Sequence, residues 1–235
     1  ITKDTRYYED VTSAVPNGIA IKRSFNHTDW LATITYRPTR DIMAYAKVAT
    51  GYIAGGIRSA IPFEPEELIS YEIGVKADLL DKRLRVNAAA YTSDYKNLQV
   101  TLFENGVTFI ENAGRAKIKG FELELTAIPV NGVTFGGNLG HTDFEYKEYI
   151  QVVNGVRTDV ADSLLPTRRP RWTGQLFGQV SAPIENFGTA SFRLDATYQG
   201  RTRLTTQTAY ADAALNRVVT LDPFWLLNAR ASLSD

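Results

Sequence analysis

Cysteine is absent from the 235 residues, so neither a disulfide framework nor a thiolate metal site can be built, and the redox compartment stays open. Histidine is nearly absent, with only His27 and His141. A nucleophilic triad or an imidazole metal centre would have to recruit one of these two, and the chain holds neither a GxSxG elbow nor an HExxH helix motif. No metal site and no cofactor is expected. Charge of one sign is lacking as well: 26 Lys and Arg balance 26 Asp and Glu, which argues against a nucleic-acid partner and against a funnel for ions of one sign. Long apolar runs are missing too, none approaching the roughly 18 residues of a membrane helix. This last absence leaves a bilayer open, because a transmembrane strand needs only about 9 to 11 residues with every second one apolar.

Such strands are present. From Tyr71 to Leu79, Tyr71, Ile73, Val75, Ala77 and Leu79 share one phase, while Glu72, Lys76 and Asp78 share the other. A period of two puts the two sets on opposite faces. The chain reverses through Leu80–Arg83 and repeats the pattern with Leu84, Val86, Ala88 and Ala90 against Arg85, Asn87 and Tyr91. Pairing Leu79 with Leu84 brings both patterns into register, sets Ala77 opposite Val86, and makes Asp78 and Arg85 a cross-strand ion pair.

The same reading extends to nine strands, near 30–37, 42–52, 71–79, 84–95, 116–128, 133–146, 171–182, 190–198 and 227–233. The links alternate in length. Short turns at 38–41, 80–83, 129–132 (with Asn131-Gly132) and 183–188 all fall at one end, and long links at 53–70, 96–114, 147–170 and 199–223 all fall at the other. Residues 1–29 show no clear pattern. Within the central band the apolar phase carries no charge in the third to fifth and seventh to ninth strands; Lys117 and Lys119 continue that phase of the fifth toward the long-link end, where they can snorkel to headgroups. Tyr36, Tyr71, Trp172 and Tyr198 sit near strand ends, where an interfacial girdle would place them. The pattern predicts an all-β, antiparallel, up-and-down transmembrane barrel wall. A soluble β-sandwich, for instance a carbohydrate-binding one, would also alternate, but its apolar phase would lie beneath a second sheet.

The polar phase assembles candidate interior residues: Glu72, Lys76, Asp78, Arg85, Glu122, Glu124, Arg193, Asp195 and Arg230. Glu122 and Glu124 could be imagined as an acid–base pair, yet a hydrogen-bonding lumen wall accounts for them equally. His27 and His141 read as rim residues. Arg168, Arg169, Arg171, Arg201 and Arg203 form the most basic region of the long-link end, suited to an anionic ligand or to lipopolysaccharide phosphates.

Several segments resemble the barrel of TonB-dependent outer-membrane receptors. They are Ser70-Tyr71-Glu72-Ile73-Gly74-Val75-Lys76, the run from Arg83 to Tyr91, Asp94-Tyr95-Lys96-Asn97-Leu98-Gln99-Val100, Asn112-Ala113-Gly114-Arg115-Ala116 and Gly120-Phe121-Glu122-Leu123-Glu124. Further matches are Thr50-Gly51-Tyr52 with Gly55-Gly56, Pro65-Glu66, Pro170-Arg171-Trp172-Thr173 and Leu227-Asn228-Ala229-Arg230. The resemblance implies the later part of a barrel of about 22 strands with a plugged lumen, in the outer membrane of a Gram-negative bacterium. It also implies a plug domain energised by the TonB–ExbB–ExbD system, and import of a scarce nutrient such as a ferric siderophore, cobalamin or an oligosaccharide. A passive porin-like channel is the alternative. Residues 1–235 are expected to be a partial barrel domain, a processed piece or fragment without plug, TonB-contacting box or closing strand, and not an enzyme.

Overall fold

The computed structural model describes residues 2–10, 19–104, 106–204 and 217–234. Their strands are β1 (Thr2–Asp10), β2 (Ile19–His27), β3 (Leu31–Tyr36), β4 (Ile42–Ile53), β5 (Gly56–Arg58), β6 (Ile61–Phe63), β7 (Glu66–Leu79) and β8 (Leu84–Glu104). They continue with β9 (Val107–Val130), β10 (Val133–Val153), β11 (Val156–Asp159), β12 (Trp172–Ile184), β13 (Gly188–Gln199), β14 (Thr202–Arg203), β15 (Thr220–Leu221) and β16 (Phe224–Ser234). One 3-10 turn spans Ala161–Ser163.

Nine strands make one antiparallel wall in the order β3-β4-β7-β8-β9-β10-β12-β13-β16, with β11 attached to β10. The order follows the chain, as hairpin connections of an up-and-down wall require. Leu79 pairs with Leu84, Ala77 with Val86 and Val75 with Ala88, the register set by matching apolar to apolar. The same matching extends across the sheet: Ala88 opposes Leu123, Leu123 opposes Leu139, and Leu194 opposes Ala229.

One face is therefore apolar from edge to edge, and it is bare. Ile73, Leu125 and Leu194 are 64%, 40% and 53% exposed. A sandwich would have buried all three, and among the described residues no second layer covers them. From Phe121 to Pro129 the apolar face runs nine residues, about 26 Å along the strand at roughly 3.3 Å per residue, which suits the hydrocarbon band of an outer membrane. At its upper edge Phe121, His141 and Trp172 touch, with centroids 5.6 Å and 4.4 Å apart, and Tyr198 meets Trp225 at 5.0 Å. His141 belongs to this aromatic row, and His27 stacks on Tyr52 at 4.5 Å.

Above the row the strands outrun the sequence expectation. Residues 96–114 read as a long link, yet β8 and β9 stay paired from Leu98 with Gly114 to Glu104 with Val107. Two register shifts, between Tyr95 and Leu98 and between Leu98 and Gln99, interrupt the alternation, and Asn97 takes a positive φ of 55°. Likewise β10 continues to Val153 and turns through Asn154 and Gly155, both at positive φ, into β11, where the sequence suggested an irregular insertion. The link after β4 contains the small β5–β6 hairpin. Part of the link at 199–223 lies outside the described residues; the rest contributes β14 and β15.

The buried core sits in this upper tower, not in the wall. Val100 and Leu102 are 1% and 2% exposed and pack with Ala113, Phe109, Tyr149 and Ile150.

Candidate functional site

Two regions carry concentrated polar chemistry: the polar face of the wall and the rim where the long links fold. Register places Glu72, Lys76, Asp78, Arg85, Glu122, Glu124, Arg193, Asp195 and Arg230 on that one face. Most neutralise one another. Arg85 donates Nε and Nη2 to the two oxygens of Asp78 at 2.7 and 3.3 Å. Lys47 lies 2.7 Å from Glu72, which also accepts the Tyr45 hydroxyl at 2.7 Å. Arg193 pairs with Asp195 at 2.7 Å and stacks over Phe177 at 3.8 Å, while Asn87 donates to Glu124 at 3.0 Å. Lys76, Glu122 and Arg230 have no hydrogen-bonded or ion-paired partner among the described residues, so they are the charges this face offers to something else. Glu122 and Glu124 thus differ, one free and one held, and they do not form a coupled pair.

The polar face is kept flat by rings laid over glycines. Tyr45 covers Gly74 and Tyr91 covers Gly120, where an added Cβ would strike the phenol. Tyr91 then reaches across to share a 2.8 Å hydrogen bond with Thr142. The centre of the face is a shallow depression lined by Tyr45, Lys76, Asn87, Glu122, Glu124 and Asn138.

The five rim arginines do not form one patch. Arg171 turns to the apolar side and pairs with Asp143 at 2.9 Å, next to the band where Lys117 meets Asp94 at 3.3 Å. Arg201 lies 3.4 Å from Asp222. The backbone of Arg203 accepts the Arg168 N–H at 2.7 Å, and Arg168 itself is exposed at positive φ. Arg169 turns to the polar side, its guanidinium carbon 4.3 Å from the centre of the Phe144 ring.

Sequence reasoning missed a latch that holds the β5–β6 hairpin against the tower. Asn112 accepts the Glu64 N–H at 2.7 Å and donates to the carbonyls of Glu64 (2.7 Å) and Asn97 (2.9 Å). Gln99 donates its side-chain amide to Ala54 and Glu64 carbonyls, and its backbone N–H to Glu66 at 2.8 Å. Glu66 is buried and lies on the loop side of the aromatic row; burial pushes its carboxyl up, with the Gln99 N–H opposing. On the other flank Arg157 pairs with Glu111. Asp159 accepts the N–H groups of Tyr149 and Ala161 at 3.0 Å each, which hold its carboxyl below its ordinary value. The signal was in view: Pro65-Glu66, Gln99 and Asn112-Ala113-Gly114 are among the segments that carried the resemblance.

A one-layer antiparallel wall, bare and apolar on one side, charged on the other, with short turns below and a folded rim above, defines a transmembrane β-barrel wall. The profile of the family described as TonB dependent receptor-like, beta-barrel, matches residues 3–234, and the chain belongs to that family. It is 28% identical over 159 residues to the metal-pseudopaline receptor CntO of Pseudomonas aeruginosa, covering 65% of this chain and 22% of that receptor. It is 29% identical over 116 residues to the probable TonB-dependent siderophore receptor PiuA of Acinetobacter baumannii, covering 44% and 15%. The crystal structure of that PiuA superimposes with a TM-score of 0.72 at 19% identity, over 95% of this chain and 32% of the other. The ferric yersiniabactin uptake receptor FyuA from Yersinia pestis gives 0.68 at 19%, over 90% and 30%. The chain thus spans about a fifth of the length of the curated receptor CntO.

Proposed function

We propose that this chain is part of the barrel of an energised importer in the outer membrane of a Gram-negative bacterium, taking up a scarce nutrient in the class of metal chelates. The observation that carries the reading is the match of residues 3–234 to the receptor barrel family, supported by relatives named as metal and siderophore receptors. The wall's edges, β3 and β16, are not bonded to each other. In hydrocarbon each unpaired backbone group costs several kcal/mol, so the edges require further strands, consistent with a barrel of about 22 strands.

In this reading the apolar face meets lipid and the charged band at Lys117, Lys119 and Arg171 meets lipopolysaccharide. The polar face, through Lys76, Glu122 and Arg230 above all, contacts a plug domain, by which the TonB–ExbB–ExbD system delivers energy. The tower and rim arginines face the medium and capture ligand. The chain itself does no covalent chemistry.

The test is uptake by cells carrying the full-length receptor gene, under iron limitation and with a panel of radiolabelled metal chelates. Uptake that stops when the proton gradient is collapsed, and in a strain lacking the TonB system, supports the importer. Uptake that persists under both conditions makes the protein a passive channel.

A further inference from the structure

Arg169 is set apart from every other cation at the rim. The segment that carries it is pinned on both sides: the Arg168 N–H bonds the Arg203 carbonyl at 2.7 Å, and the Arg171 carbonyl accepts the Thr142 N–H at 2.9 Å. Arg171 then leaves by the apolar side to Asp143. Between these anchors the Arg169 guanidinium carbon lies 4.3 Å from the centre of the Phe144 ring, and no carboxylate pairs with it among the described residues. A cation–π contact spends none of the guanidinium N–H donors on an oxygen acceptor. A cation immobilised in this way has already lost much of the side-chain freedom that binding would otherwise cost.

What surrounds it is aromatic. Phe144 meets Tyr146 at 4.9 Å, and Tyr146 meets Tyr149 at 5.1 Å, both edge to face. Tyr95 and Tyr146 both oppose Ala116 from the neighbouring strands, so a small residue separates two phenols on the same face. The charge of Arg169 acts on both hydroxyls. One fixed cation beside two phenol donors and several ring faces suits a single negative charge spread over two oxygens on a flat body. A phosphate dianion calls for a second cation, and of the neighbouring rim arginines Arg171 is paired with Asp143 and Arg201 with Asp222.

Resting on the importer reading, we propose that Arg169, Phe144, Tyr146 and Tyr95 form a recognition subsite for an ionised aromatic acid, an aromatic carboxylate or phenolate such as a metal chelator carries. The guanidinium edge takes the two oxygens, the phenols donate to them from the side, and the ligand ring packs against Tyr146.

The probe is salicylate, with cyclohexanecarboxylate and inorganic phosphate as comparators, titrated calorimetrically into the purified full-length receptor in detergent. Salicylate is expected to bind at least tenfold more tightly than either comparator. Arg169→Gln is expected to lose tenfold or more; Arg169→Lys keeps the charge without the flat fork and is expected to lose severalfold. Lys82→Gln, in a turn at the opposite end of the wall, is expected to bind like the parent. Each variant is first shown to be folded by the heat-dependent gel mobility of barrels. Equal binding of phosphate or cyclohexanecarboxylate, or an unchanged affinity in folded Arg169→Gln, overturns the subsite. Binding in detergent needs no energy source, so loss of the subsite leaves the importer reading standing, and energy-independent uptake would sink that reading without touching this one.

Discussion

The lower wall and the upper tower are built from the same strands and obey different rules. Below the Phe121–His141–Trp172 row, side chains such as Leu176 and Leu194 stay more than half exposed, the β8–β9 ladder from Leu84–Ala127 to Ala90–Phe121 runs without a slip, and the β9–β10 shift between Val133 and Phe135 sits beside the bottom turn. Above the row β8 and β9 slip register twice, Val100 and Leu102 are sealed from solvent, and side-chain amides hold backbone groups of a neighbouring hairpin. The difference is the solvent. In the wall the bilayer takes the place of a core, so any shift of phase would aim a charge at lipid. The tower faces water, and it must bury its own apolar surface to stay folded.

The comparison makes its strongest prediction at Leu102. Truncation to Ala in a site this well packed is expected to cost about 2 to 5 kcal/mol, confined to the tower. Hydrogen exchange should speed at 98–112 while the barrel keeps its heat-dependent gel mobility. An equal loss of protection in 84–95 would show that tower and wall unfold as one unit.

The converse belongs to Leu125, midway between Phe121 and Pro129 on the apolar face. An Arg at this position is expected to cost about 2 to 4 kcal/mol near the bilayer midplane, felt by the whole barrel as a lower urea midpoint in lipid vesicles. Lys119→Arg, at a position already charged above the upper edge, is expected to be silent. A silent Leu125→Arg would take the face away from hydrocarbon.

What could be read beforehand divides along the same line. The hairpin of Tyr71–Leu79 with Leu84–Tyr91, its register and the Asp78–Arg85 pair were legible because the bilayer allows only one phase. The upper halves of β8, β9 and β10 were not, since an inserted residue at a bulge costs little in water and resets the pattern; Lys96 and Asn97 look like a link for that reason. The opposite turns of Arg169 and Arg171, two residues apart, depend on Phe144 and Asp143 of another strand, and no local pattern carries that. Glu66, Gln99 and Asn112 were visible as recurring residues but without their role, because the latch joins groups more than thirty residues apart in sequence.

Within the tower, Asn112 should matter more than its size suggests. Its amide satisfies the Glu64 N–H and two carbonyls, so Asn112→Ala frees three backbone groups at a site water can reach, at an expected cost of about 0.5 to 1.5 kcal/mol. Exchange of the Glu64 amide and proteolysis between β5 and β6 should both accelerate. The effect on Leu125 or Leu194 in the wall should be nil, and a spread to them would erase the boundary drawn at the aromatic row.

The smallest effect tests the latch by pH. Burial raises the Glu66 carboxyl above its unfolded value, and the Gln99 N–H only partly offsets this. For an acid shifted upward, the folded state holds its proton longer than the unfolded one. The latch therefore carries no penalty below the unfolded value, near 4.3, and a growing one as pH climbs through the folded value. Protection of the Gln99 amide, corrected for base-catalysed exchange, should then fall across that interval in the parent. In Glu66→Gln, whose amide oxygen still accepts the N–H but cannot ionise, it should stay flat and exceed the parent at neutral pH. Protection that instead rises with pH would mean that the carboxylate gains more from the Gln99 N–H than it loses by burial, and the latch would be an anion site whose strength grows on ionisation.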